Sequence, residues 1–406
     1  MGDFYQSRVI ATYHQLGHRD LEELETELER LGQSHRLVLV LPALYSEFER
    51  PALPRIVEQL TGATYIDEIV LALGRAGAEQ FAHAREFMNA LPQKVSIIWI
   101  DAPGVQDVLH AMEDIGLFVG EPGKGQAVWL AYGYILGSAE FSVIAVHDCD
   151  ILSYDRGLLA RLVYPALNRN LGLEFVKGYY ARVTDRMYGR VTRLFITPVV
   201  RALIQLLGHQ PFLTYVDDFR YPLAGEVAMT SDLARLIRIP GGWGLEVATL
   251  AEVYRNVNPK RICQVDLADI YEHKHQPLSQ GDPGAGLMKM CVDISKSIFH
   301  TLASEGISFG EGLFRSLHAA YLRHAQDTIR KCAGDAVLNG LIYDRHKEGL
   351  AVETFAQALQ IGGEEFKSKP SGTSEIPNWS RVADALPDIH DRLVEVVREL
   401  NEDAGA

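Results

Sequence analysis

Apolar positions along the chain alternate between two patterns over its first two-thirds. The unbroken runs RLVLVLPAL (36–44), DEIVLAL (67–73), KVSIIWI (94–100) and FSVIAV (141–146) predict strands covered on both faces. Stretches of helical length separate them, and LEELETELERLG (21–32) predicts an amphipathic helix that stops at Gly32. This rhythm predicts an α/β fold with a doubly wound parallel sheet. Beyond residue 280 the pattern becomes helical throughout, over 288–303, 310–333, 353–366 and 386–401. The segment SKPSGTSEIP (368–377) reads as a mobile loop from its Ser, Pro and Gly content. The expected organisation is a domain over 1–280, with its N-terminal helix included, and a helical region over 281–406 that packs on it or forms a dimer interface.

Ligands of such sheets bind beyond the carboxyl ends of the strands. The run FSVIAV ends abruptly in His147-Asp148-Cys149-Asp150, which puts two carboxylates where a ligand would arrive. Residues two apart in an extended segment point the same way, so Asp148 and Asp150 can face one site. Hard cations such as Mg²⁺ and Mn²⁺ take carboxylate ligands, with phosphate oxygens completing the shell. An isolated D-x-D is more often a turn or helix cap. Gly123-Lys124-Gly125 enters a helix without the spacing of a Walker loop or a dinucleotide fingerprint, so it is either a phosphate contact or a flexible helix entry.

Lys177, Arg182, Arg186, Arg190 and Arg193 are among the cations that punctuate 177–204, and the ordinary expectation for such a run is a solvated helix face. Within it, Gly189-Arg190-Val191-Thr192 combines a permissive glycine, a guanidinium and a hydroxyl suited to a carboxylate or phosphate. The glycine-framed acids Gly225-Glu226 and Trp243-Gly244-Leu245-Glu246 either cap helices or contact sugar hydroxyls. His273 and His275 lie two apart in DIYEHKHQPL, where His is a common metal ligand.

Charge narrows the partners. A net charge of −14 argues against nucleic acid or an anionic membrane, because both require a basic surface. The four widely spaced cysteines form no zinc pattern and are expected as reduced thiols in a cytoplasmic protein. No apolar run approaches a membrane span, and residues 1–20 lack the apolar core of a signal peptide.

The ordered set LPAL, GKGQA, DCD, GRVT, PLAGE, PGGWGLE and HKHQPL, spread over residues 36–280, resembles the retaining glucosyl-3-phosphoglycerate synthases. That resemblance implies a GT-A, Rossmann-like nucleotide-diphospho-sugar transferase fold with a helical C-terminal extension. It also implies Mg²⁺ or Mn²⁺ as cofactor, a nucleotide-sugar donor (UDP-glucose) and a small phosphorylated acid as acceptor, while a homodimer is the expected assembly of the helical C-terminal region. By the same resemblance Pro42, Ala43, Leu44, Glu47, Lys124, Asp148, Trp243, Gly244, Leu245 and Glu246 bind the donor. Gly189, Arg190, Val191, Thr192 and His275 bind the acceptor, Asp150 and His273 hold the metal, and Asp150, Glu246 and Arg190 serve catalysis. His275 stands where the family has an asparagine, and Ala72-Leu73-Gly74-Arg75 stands where the family has an acid-bearing turn. Mannose as the sugar, glycerate as the acceptor, and a non-catalytic nucleotide-sugar-binding protein are the alternatives.

Overall fold

The computed structural model describes residues 6, 9–17, 19–138, 140–240, 244–268, 270–272, 277–369 and 375–402. Its strands are β1 (Ala11–Tyr13), β2 (Leu37–Leu44), β3 (Glu68–Gly74), β4 (Lys94–Trp99), β5 (Val143–Val146), β6 (Phe175–Tyr180), β7 (Val227–Thr230), β8 (Ile239–Pro240), β9 (Ile262–Ala268) and β10 (Glu375–Ile376). Eight of them form one sheet in the order β1-β9-β6-β7-β5-β2-β3-β4. The four strands foreseen from apolar runs, β2 to β5, are parallel neighbours. β7 is the exception, running antiparallel between β5 and β6.

Successive residues of β2 serve opposite faces, as the pleat requires. Val38 and Val40 join one apolar cluster, whereas Leu37, Leu39 and Leu41 join another on the other side. Both faces are therefore packed, and an uninterrupted apolar run is the result. The helix Leu21–Gly32 forms as foreseen, with the Asp20 carboxylate accepting from the Glu22 and Glu23 amides at its start.

Segment 177–204 departs from a solvated helix face. Lys177 lies inside β6 and is 1% exposed, and the helix begins later, as a π-helical turn over Val191–Ile196 that continues into Thr197–Leu207. The apolar neighbours in FVKGYY outweigh the charge, because β6 is enclosed between β7 and β9.

The C-terminal helices span Gly286–Ser304, Glu311–Leu338, Arg345–Ser368, Trp379–Ala385 and Ile389–Glu402. The final helix covers the sheet edge: Asn401 donates to the Ile97 carbonyl and accepts from the Ile97 amide, each at 3.0 Å. Backbone groups of β4 that would otherwise stand unpaired at the edge are thus satisfied. Trp379 stacks on Trp129 at 4.5 Å, close against Gly133 in the helix Lys124–Ser138. A Cβ at Gly133 would lie 2.0 Å from the Trp379 ring, so only glycine admits this contact. In the segment foreseen as a loop, Glu375 and Ile376 instead pair antiparallel with Pro240 and Ile239, while residues 370–374 lie outside the described residues.

Candidate active site

At the carboxyl edge of the sheet, antiparallel pairing sets Val227 of β7 beside Val146 of β5. The segment entering β7 therefore lies against the segment leaving β5, and Gly225-Glu226 meets His147-Asp148. Lys124 opens the helix Lys124–Ser138 and reaches both Asp148 at 2.6 Å and Glu246 at 3.2 Å. Glu246 itself comes from the first turn of the helix Leu245–Asn256, which follows Gly244 at φ +102°. Burial works against the charge on Lys124, but Asp148 and Glu246 outweigh it and hold the ammonium well above the ordinary lysine value.

Gly225 forms the back of this cluster. A Cβ there would lie 2.7 Å from Asp148 Oδ2 and 3.1 Å from Lys124 Nζ, so the backbone approach requires glycine. Lys177 fixes the same loop from below by donating to the Ala224 carbonyl at 2.7 Å. Burial lowers its proton affinity to about 8, against the favourable field of Glu246 and Glu226. Folded Lys177 therefore binds fewer protons than an unfolded lysine between about pH 8 and the ordinary 10.5. Its contribution to stability rises as pH rises through that window. Urea unfolding at pH 7.5 and at pH 10 is expected to show wild type gaining stability relative to Lys177→Met at the higher pH. A difference that shrinks or stays constant would contradict this.

Beneath the cluster Glu226 is fully buried, and its carboxylate accepts from the hydroxyls of Tyr180, at 2.8 Å, and Tyr271. The two tyrosine rings stack at 3.5 Å. Tyr271 lies two residues before His273. The next residue, Glu272, accepts from the Leu152 amide at 2.8 Å and its own amide donates to Ser153 Oγ at 3.0 Å. The backbone just after Asp150 is thereby joined to the backbone just before His273, across more than a hundred positions of sequence.

His273, His275 and Trp243 themselves lie outside the described residues. Among the described residues no three His, Cys, Asp or Glu side chains gather into a metal cluster. Asp150 is half-buried at the edge and supplies carboxylate oxygen, which suits a hard cation that completes its shell with ligand oxygens. His147 is fully buried, with Nε2 3.1 Å from the Tyr154 hydroxyl, and burial lowers its pKa to about 4. It is a neutral core residue at pH 7.

A second half of the site adjoins the first. Tyr180 packs on Tyr221 at 5.0 Å, and Tyr221 flanks Gly189, which takes φ +68°. That left-handed turn starts the Gly189-Arg190-Val191-Thr192 motif. Thr192 is buried, and its hydroxyl has no hydrogen-bond partner among the described residues. Arg190 Nε and Arg193 Nη1 each donate at 2.9 Å to one oxygen of Glu348, a residue of the helix Arg345–Ser368.

Among the remaining candidates, Pro42, Ala43 and Leu44 end β2 at the same edge, with Leu44 exposed. Glu47 follows in a tight turn, is buried, and lies 3.8 Å from Arg50. Leu245 is adjacent to Glu246 at the start of its helix. Lys177, Tyr180, Tyr271 and Glu348 were not foreseen as site residues. A lysine between apolar neighbours in FVKGYY is a signal for the first, whereas Glu348 stands in no local pattern.

No protein-family model matches this chain. Curated relatives do: the glucosyl-3-phosphoglycerate synthase of Persephonella marina is 48% identical over 403 residues, covering 99% of this chain and 100% of the relative. That of Methanococcoides burtonii is 40% identical over 398 residues, covering 97% and 96%. Among solved structures, the glucosyl-3-phosphoglycerate synthase of Mycobacterium tuberculosis in complex with Mg²⁺ and UDP superposes with a TM-score of 0.53 at 21% identity, over 75% of this chain and 89% of that one. The same enzyme in complex with Mn²⁺, UDP-glucose and phosphoglyceric acid also gives a TM-score of 0.53 at 21% identity, over 74% and 89%. These superpositions assign the mixed α/β architecture with its largely parallel central sheet to the GT-A fold. With relatives this similar along essentially its whole length, the chain belongs to the glucosyl-3-phosphoglycerate synthase family.

Proposed function

We propose that this protein transfers glucose from UDP-glucose to the one free hydroxyl of 3-phosphoglycerate, with retention at the anomeric carbon. The observation that carries this reading is a line of contacts joining two chemically distinct half-sites. It runs from Glu246 and Lys124 through Asp148, Gly225, Glu226, Tyr180 and Tyr221 to Gly189 and the adjoining Arg190. One end suits a charged nucleotide sugar and the other an anionic acceptor, as glycosyl transfer to a phosphorylated acid requires.

In this reading Pro42, Ala43, Leu44 and Glu47 border the nucleoside, and Asp148 meets its sugar. The ammonium of Lys124 lies near the charge that develops on the departing diphosphate, and Trp243 to Glu246 face the glucose. Glu246 is an orienting group that also stabilises positive charge on the sugar. Arg190, Thr192 and His275 hold the acceptor's charged groups, and the Thr192 hydroxyl, which has no partner among the described residues, is available to them. Asp150 and His273 would hold Mg²⁺ or Mn²⁺, which when bound supplies Lewis acidity to the diphosphate. With Glu246 assigned to orientation, the acceptor hydroxyl attacks on the face the diphosphate leaves, and its proton goes to that leaving group.

We assign residues 1–280 to the catalytic unit and 281–406 to its helical extension, and we infer a cytoplasmic homodimer that makes the precursor of a glucosylglycerate compatible solute. No described helix is long and apolar enough to cross a membrane, and all four cysteines are buried and free. Incubation with UDP-glucose, Mg²⁺ and 3-phosphoglycerate is expected to release UDP only when all three are present, and the product's anomeric proton is expected to carry the donor's α configuration. No UDP release, faster release with glycerate or GDP-mannose, or a β product would overturn the reading.

A further inference from the structure

Glu348 belongs to none of the sequence motifs, yet it sits against the acceptor half-site. It lies in the first turn of the helix Arg345–Ser368, is 4% exposed, and gives one oxygen to Arg190 Nε and the other to Arg193 Nη1. A carboxylate this deeply buried is tolerated only with charged partners, so the two guanidinium groups and Glu348 form one unit.

The two arginines differ in what remains to them. Arg193 is also bound to the Tyr188 carbonyl through Nε at 2.8 Å and to the Met187 carbonyl through Nη2 at 3.4 Å. Its side chain is 18% exposed, so its donors are committed to holding the loop. The Arg190 side chain is 38% exposed and donates through Nε alone among the described residues. Its Nη groups retain their donors and can form a bidentate pair with a phosphate or carboxylate.

The chain ahead of the Glu348 helix is tied to the same loop, because the Ile342 amide donates to the Asp185 carbonyl at 2.8 Å. Arg190 is thus steered from the C-terminal helical region. On the proposed reaction, we infer that Glu348 is a positioning residue for the acceptor: it grips Arg190 by Nε so that the Nη edge faces the incoming anion, and it offsets part of the positive charge there. This deepens the proposed function and rests on it.

The test is a comparison of Glu348→Gln with wild type, both loaded with Mg²⁺. Gln keeps the shape but offers one acceptor oxygen to two cationic donors. The KM for 3-phosphoglycerate is expected to rise about tenfold, as befits one weakened charge-assisted pair, with the KM for UDP-glucose and kcat each changed by less than twofold. The preference for 3-phosphoglycerate over glycerate should fall in parallel. Glu348→Asp, which keeps the charge, is expected to recover part of the acceptor KM. A Gln variant whose acceptor KM rises by less than threefold, or whose donor KM rises equally, overturns the inference. Wild type that releases no UDP under the same conditions overturns the proposed reaction instead, and the inference falls with it.

Discussion

Replacing Lys124 with methionine is expected to lower kcat/KM for UDP-glucose by about 10³-fold, in the range found when one preorganised donor to a developing anion is removed. Methionine keeps much of the length and apolar stem but leaves Asp148 and Glu246 facing each other without the ammonium that now lies 2.6 and 3.2 Å from them. Two carboxylates without a cation repel both one another and a diphosphate. The effect should fall mainly on donor binding and on the departure of the diphosphate. Stability should fall as well, because two partly buried carboxylates lose their shared cation, although side chains 27% and 16% exposed can partly rehydrate. Steady-state kinetics, calorimetric titration with UDP, and melting curves separate these effects. A folded variant within tenfold of wild type would remove Lys124 from the machinery.

How far the site was legible depends on whether its signals are local. β2, β3, β4 and β5 were readable because both faces of each are covered and the code is an uninterrupted apolar run. β1 spans only three residues, too few to carry a pattern, and β7, as short as β5, follows Glu226 and ends in a threonine, so no apolar run marks it. β6 was obscured by Lys177, whose charge reads as solvent exposure although the loop carbonyl of Ala224 and the field of Glu226 and Glu246 hold it inside. Asp148, Lys124 and Glu246 stand out in the sequence as candidates because glycines or a strand end frame each one. Their ion pairing was not, since 122 positions separate Lys124 from Glu246. Glu348 is the extreme case: its partners lie 158 and 155 positions away, and its own helix looks ordinary. Sequence shows which groups are chemically able, and the fold decides which of them meet.

The deepest of these meetings predicts the largest loss of stability. Glu226→Ala leaves the hydroxyls of Tyr180 and Tyr271 buried without their acceptor. The two hydroxyls can still pair with each other, so at about 1–3 kcal/mol for one buried polar group left unsatisfied the expected loss is at least about 1–3 kcal/mol. Lys177 and Lys124 also lose a nearby negative charge, which adds in the same direction. Glu226→Gln should cost less, because its carbonyl still accepts from one tyrosine, and Tyr271→Phe less again, because the carboxylate keeps Tyr180. The double variant Glu226→Ala/Tyr271→Phe should be more stable than the sum of its singles, since both changes remove the same Glu226–Tyr271 contact, which can be lost only once. Urea denaturation of the four variants gives each term. If Glu226→Ala cost less than 1 kcal/mol, the carboxylate would not be what holds the two tyrosines, and the tie from β6 and β7 to the chain entering His273 would have to come from the stacked rings alone.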